Sequence, residues 1–167
     1  MADILAETGV THFLRALVEN EVEFLVVGAS AAVLQGVPLV TQDIDLWFKH
    51  LPPDERLKTV LKRVGGIYVP PTGHHPPTLA GEAVKLFDIV ISCHGLSSFD
   101  EEMQGAYAVE IGEVFVPVLP LERVIQSKKA TNRPKDVAAT PALETALETI
   151  KRHARPSLWL ERSSKRK

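Results

Sequence analysis

The sequence predicts an α/β domain of the α+β kind, a small mixed β-sheet with flanking helices and two C-terminal helices. Three observations carry that prediction. Short runs rich in β-branched and aromatic residues (EFLVVG, IDLWFK, GIYVP, VKLFDIVIS, YAVEIGEVFVPVL) alternate with segments of helical periodicity, a pattern that arises when helices cover a sheet. Gly and Pro fall at the ends of these runs, where strands turn and helices stop. The chain has 167 residues, 45% hydrophobic and 24% charged, enough for one ordinary core and too few for two. Residues 1–155 read as that one domain and 156–167 as a basic tail.

In order along the chain, Phe13, Leu14, Leu17 and Val18 recur at helical spacing and predict a helix from about Glu7 to Asn20. EFLVVG is a buried strand ending at Gly28, and ASAAVLQG a short helix closed by Gly36. IDLWFK is the second strand, followed by a helix opened by Pro52 and Pro53 and closed by Gly65 and Gly66. After the short strand GIYVP, residues 69–82 (VPPTGHHPPTLAGE) read as a long proline-rich loop, suited to a lid or to acceptor recognition. VKLFDIVIS is the most apolar strand, and YAVEIGEVFVPVL two strands turning at Gly112 and Glu113. LERVIQSKKAT is a helix, and a last one follows Pro134, with Pro141 expected to interrupt or restart it.

No apolar run approaches the roughly 20 residues a membrane span requires, and MADILAETGV lacks a basic segment leading into an apolar one. The expected location is the cytoplasm, with no membrane partner. Cys93 is the only cysteine and reads as a core residue. The net charge of −2 is unevenly placed: seven Lys/Arg against one Glu from Lys151 to Lys167 leave residues 1–150 at −8. That tail reads as a solvated, partly frayed terminus, with RNA contact as the alternative. Trp159 reads as a docking residue.

TQDIDL raises the question of function. On a strand, Asp43 and Asp45 share a face, about 6 to 7 Å apart. Read alone, the pair better describes strand-edge aspartates that cap the next element. A helix-loop-helix calcium site is excluded, because Trp47 and Phe48 stand where oxygen ligands and a Gly belong. Asp88 lies within an apolar strand, where an unpaired carboxylate is costly. Were that strand beside IDLWFK, three carboxylates would converge as a site for a hard cation, Mg²⁺ or Mn²⁺. Gly28 stands where a strand gives way to a helix, so free N–H groups could meet a phosphate, with Ser30 close by; close packing explains such a turn equally well. There is no Lys-Ser/Thr pair of a P-loop, no dinucleotide fingerprint, and Ala32 occupies the second Gly of a nucleophile elbow. KKATNRPK is a basic cluster at a helix junction, suited to phosphate or to solvent. His74 and His75 read as an exposed loop pair.

Together, GAS at Gly28, Ala29 and Ser30, DID at Asp43 and Asp45, and FDIV at Asp88 resemble the nucleotidyltransferase superfamily related to DNA polymerase beta. GASAAVLQGVPLVTQDIDLWF and VIQSKKATNRPKDVAA are similar to two ordered blocks of small bacterial nucleotidyltransferase-like proteins, some of them toxins of toxin–antitoxin and abortive-infection systems. The likeness spans about residues 22–140. It implies the nucleotidyltransferase fold and Mg²⁺-dependent transfer of an NMP from an NTP, ATP included, to a tRNA, protein or small-molecule acceptor. By the same resemblance, Asp43, Asp45 and Asp88 hold the metal, Gly28, Ala29 and Ser30 form the phosphate turn, and Lys128 and Arg133 face the nucleotide. Lys135 and Asp136 complete the second block. Three positions depart from the pattern: Ala29 for a Gly or Ser, Leu39 for an Arg and Ala139 for an acid. They leave open a second reading, a weak or inactive nucleotide-binding protein that works through a partner, an antitoxin or another copy of itself.

Overall fold

The computed structural model describes residues 9–166. Its first element is α1, Gly9–Glu19, which buries Phe13, Leu14, Ala16 and Leu17 on one face. The turn expected at Glu7 lies outside the described residues, as does Lys167. β1 (Phe24–Val27) is buried at all four positions and runs into α2 (Gly28–Leu34) without an intervening loop. β2 (Ile44–Phe48) follows, then α3 (Glu55–Val64). Asp54 caps α3 by accepting from Leu57 N–H at 3.0 Å, and Gly65 ends it at φ 75°, a conformation that costs glycine nothing.

The proline-rich segment departs from the expected loop. β3 (Ile67–Val69) and β4 (Thr78–Ala80) pair as an antiparallel hairpin, with Thr72 and His75 bridging near its tip. TLA is too short for its alternation to be read from sequence, and the flanking prolines hide it. β5 (Phe87–Val90) comes next, and then α4 (Phe99–Gln104), which the periodicity did not show. Ser98 and Glu101 form a reciprocal capping box at its start, a signal that was legible as S-x-x-E.

β6 (Tyr107–Ile111) and β7 (Val114–Val118) meet at Gly112 and Glu113, as expected. Of these two only Gly112 has positive φ, 61°, as a type II′ turn requires. α5 (Leu121–Thr131) and α6 (Pro134–Ile150) are joined by two residues, with Asn132 left-handed at φ 52°. α6 passes through Pro141 unbroken, contrary to expectation. The carbonyl that Pro141 cannot pair belongs to Val137, a residue 55% exposed on the open side of the helix, where an unpaired carbonyl costs little.

The main sheet has the order β5-β2-β1-β7-β6. β1 pairs antiparallel with β2 and parallel with β7; β2 pairs parallel with β5. The most apolar run of the sequence is an edge strand, and Asp88 on it is exposed, so its carboxylate does not bear the full cost of burial expected from that apolar run. The rings of Phe13 and Phe87 meet edge-on at 4.8 Å, tying α1 to that edge. The hairpin β3–β4 forms a separate sheet.

The tail is docked, not frayed. Ala108 N–H donates to Ser157 O and Trp159 N–H to Ala106 O, both at 2.8 Å, so Leu158 adds a bridge to the outer edge of β6. The helix α7 (Trp159–Ser164) follows, and its Arg162 guanidinium lies 3.3 Å from the centroid of the Phe115 ring. That contact commits one of the tail's cations to the domain. Among the described residues no helix is long and apolar enough to cross a membrane.

Candidate functional site

The site forms where β1 and β7 end and β2 and β5 begin. Register sets it: Val27 on β1 pairs with Asp45 on β2, and Asp45 with Asp88 on β5. Neighbouring strands lie about 4.8 Å apart, so the two aspartates stand side by side in one row. Asp43 is just outside β2, its carbonyl accepting from Thr41 Oγ1 at 3.0 Å.

Gly28 forms the wall behind Asp45. Its φ is +64°, and a Cβ placed on it would collide with Asp45 Oδ2. Only glycine leaves room there for the carboxylate. Ser30 does not serve as the sequence reading expected. Its hydroxyl is buried at 2% exposure, donates to Val27 O at 2.8 Å and accepts from Asp45 N–H at 3.1 Å. With its one proton spent, it stitches α2 to β2 and fixes the height of Asp45; it does not line the cleft. Ala29 and Gly28 do.

The opposite wall comes from the α5–α6 junction. The two-residue link brings Lys128 in the last turn of α5 over Asp136 in the first turn of α6. Asp136 is fully buried and accepts from Lys128 Nζ at 3.2 Å and from Arg133 Nε at 2.7 Å. Burial pushes its pKa up, but the Arg133 and Lys128 hydrogen bonds outweigh that and hold it below the ordinary carboxylate range. Asp136 is the residue whose role the sequence left unassigned. It holds two of the cations that line the cleft, and Lys128 is near enough to pull Asp45 down; nothing short of the fold shows that Lys128 reaches Asp136. Asp136→Asn should weaken this anchor by about 2 kcal/mol, because two cations lose the charge that offsets them; urea melts of the two proteins measure it.

Seven of the predicted residues, Gly28, Ala29, Asp43, Asp45, Asp88, Lys128 and Arg133, therefore line one open cleft of about 820 Å³. Lys135 lines it too, as do the three positions of departure, Ala29, Leu39 and Ala139. Sequence reasoning missed the wall beyond β5, formed by Ser92, Cys93 and His94. Gly95 holds that wall to α5, its carbonyl accepting from Gln126 Nε2 at 3.0 Å. Cys93 is half-buried, and burial, then Glu102 and Asp45, push its thiol up to about 12, so it stays protonated. Neither His74, His75 nor any other residue of 69–82 lines the cleft.

Burial, then the charges of Asp88 and Asp43, raise Asp45 to about 6, while Lys128 and Lys135 pull it back. Burial and Asp43 likewise raise Asp88. Among the described residues no group of three His, Cys, Asp or Glu side chains is close enough to hold a metal ion as it stands. The donor set nonetheless fits a hard cation: it is all oxygen, it repels itself, and Asp45 is locked in place between Gly28 and Ser30.

With 84% of this chain and 88% of the other covered, the structure matches the crystal structure of ANT(2″)-Ia in complex with adenylyl-2″-tobramycin, at a TM-score of 0.57 and 18% identity. The fold is that of a nucleotidyltransferase. The solution structure of ANT(2″)-Ia, described as an antibiotic-resistance factor, agrees at a TM-score of 0.54 and 17% identity, over 81% of this chain and 80% of that one. ANT(2″)-Ia is a nucleotidyltransferase of the polymerase-beta-like superfamily, the group whose motifs the sequence resembles. No protein-family model and no curated protein matches the chain. At such identities the likeness is one of fold, and the chemistry of the site rests on this chain's own residues.

Proposed function

We propose that the protein is a metal-dependent nucleotidyltransferase that moves an NMP from an NTP to a hydroxyl acceptor and releases pyrophosphate. The observation that carries this reading is the row Val27–Asp45–Asp88 facing Lys128 and Arg133 across one cleft. Carboxylates on one side and cations on the other suit a triphosphate whose metal and leaving group must both be neutralised. Mg²⁺ or Mn²⁺, held by Asp43, Asp45 and Asp88, would supply Lewis-acid polarisation of the phosphates. Asp88 sits at the exposed end of the row and takes the proton of the incoming hydroxyl. Lys128 and Arg133, steadied by Asp136, receive the charge that builds on pyrophosphate. Gly28 lets the chain turn closely enough for backbone N–H groups to meet the phosphates.

Thermal melts with each of the four NTPs, with and without Mg²⁺, test the reading. A ligand at about 100 times its Kd adds about 2.7 kcal/mol, a visible shift. The native protein should show it only with Mg²⁺, and the Asp43→Asn, Asp45→Asn double variant should not. No shift at millimolar NTP would sink the transferase. It would favour the second reading, an inactive protein working through a partner, for which Ala29 and Leu39 on the cleft wall speak.

A further inference from the structure

Resting on the transferase reading, we propose that the acceptor is a polypeptide segment that adds as a strand to the edge of β5, which no strand covers among the described residues, and presents a Ser or Thr hydroxyl to Asp88. β5 ends the sheet. Leu86 O accepts from Ile44 N–H at 2.8 Å, so Leu86, Asp88 and Val90 turn their backbone groups toward β2. By alternation the N–H and C=O of Ile89 face outward. On that outer side Phe87 N–H donates to Val84 O at 3.0 Å, and among the described residues nothing pairs with Ile89. β4 belongs to the separate hairpin sheet and does not extend this one.

Natural edges are guarded by Lys, Pro or a bulge. From Leu86 to Ser92 this edge carries neither Lys nor Pro, and its one charge is Asp88. Besides Asp88 and the exposed Ser92 it presents apolar side chains: Leu86 is 42% and Ile91 64% exposed, and Val40 on the cleft rim is 96% exposed. An added strand would gain main-chain hydrogen bonds from the edge and side-chain specificity from those residues.

Geometry then places the hydroxyl. Val27, Asp45 and Asp88 occupy one row across three strands. A fourth strand continues that row, its paired residue having its Cβ about 4.5 to 5.5 Å from that of Asp88 and on the same face. The short side chain of Ser or Thr spans that gap. Its oxygen attacks the α-phosphorus as the bond to the β-phosphate oxygen breaks; the hydroxyl proton passes to Asp88, and pyrophosphate leaves with the electron pair. The products are a peptide phosphodiester and pyrophosphate.

Other acceptors fit less well. Beyond Asp43, Asp45 and Asp88 the only acid lining the cleft among the described residues is Asp136, buried and bonded to two cations, so a polycation finds no spare carboxylate there. The wall beside β5, Val90, Ser92, Cys93 and His94, carries no Lys or Arg for a nucleic-acid backbone; the cleft's cations, Lys128, Arg133 and Lys135, belong to the α5–α6 wall, which the triphosphate takes.

The test offers α-³²P-labelled NTP and Mg²⁺ with three acceptors: β-prone peptides bearing one Ser or Thr among alternating Val residues, bulk tRNA, and tobramycin. Label should enter the peptide hydroxyls and fall roughly tenfold or more in a Leu86→Lys, Ile91→Lys variant, which guards the edge, while the NTP-dependent thermal shift persists. The proposal is overturned by label on tRNA or tobramycin with the peptides unlabelled, by peptide labelling indifferent to the two lysines, or by no peptide label with the NTP shift intact. Absence of any NTP shift removes the transferase reading itself, and that shift tells the two failures apart.

Discussion

Asp45→Asn should make the protein more stable and functionally silent. In the metal-free protein the Asp45 carboxylate is held against burial and against the charges of Asp88 and Asp43, which together raise it to about 6. Asn keeps the shape and drops the charge. Such a displacement converts to about 3 kcal/mol in a dry site and, for a side chain still partly open to solvent, to roughly 1–2 kcal/mol. Urea melts at pH 8 in EDTA should show that gain. The Mg²⁺-dependent NTP shift should vanish in the same variant, and transfer should fall by about 10³-fold, as when one element of transition-state electrostatics is removed. Gain in stability and loss of activity at one residue mark a site arranged for a ligand and not for the fold. A variant less stable than the native protein would contradict that arrangement.

The sign of the pH dependence follows from the same residue. The folded pKa of Asp45 is above its unfolded value, so its contribution to stability is complete below about pH 4 and is lost as pH rises through about 6. The metal-free native protein should therefore lose roughly 1–2 kcal/mol between pH 4 and 7 from this group. Asp45→Asn should remove that part of the slope, which paired denaturation curves at the two pH values measure.

Which features the sequence revealed depended on the range of the interaction behind them. α5 matches its reading from Leu121 to Thr131, because periodicity and the left-handed Asn132 are local. That Asp43 and Asp45 lie close together at one strand and that Gly28 turns a strand into a helix was legible for the same reason, since both need only neighbours. Ser30 was misassigned because its partner Asp45 N–H lies fifteen residues away across a strand pair. Asp136 went unassigned although Arg133 is three residues distant, because Lys128 belongs to another helix. The apolar run of β5 was legible, but its position at the edge is a property of sheet order, to which no local pattern is sensitive. Of the docked tail the sequence showed only Trp159, which packs against the core; the bridge from Leu158 to Tyr107, far back along the chain, was hidden for the same reason.

Gly28→Ala should cost about 10²-fold in transfer while leaving the fold intact, and a mutant cycle can say why. Two penalties fall on the new methyl group. The left-handed backbone at φ +64° costs an L-residue about 1–2 kcal/mol wherever it occurs. The second penalty is specific: the Cβ would collide with Asp45 Oδ2 and displace the carboxylate, and a shift of about 1 Å in a catalytic group suffices for a loss of that size. Asp45→Ala removes the colliding oxygen and leaves the Cβ of that residue at an ordinary 3.5 Å from the added atom. In that background Gly28→Ala should keep only the backbone penalty. The stability cost of Gly28→Ala should thus be smaller in the Asp45→Ala variant than in the native protein, by an interaction energy within the roughly 0.5–3 kcal/mol seen for residues in contact. Equal costs in the two backgrounds would mean that Gly28 serves the turn alone, and the close approach of glycine to carboxylate would lose its place in the site.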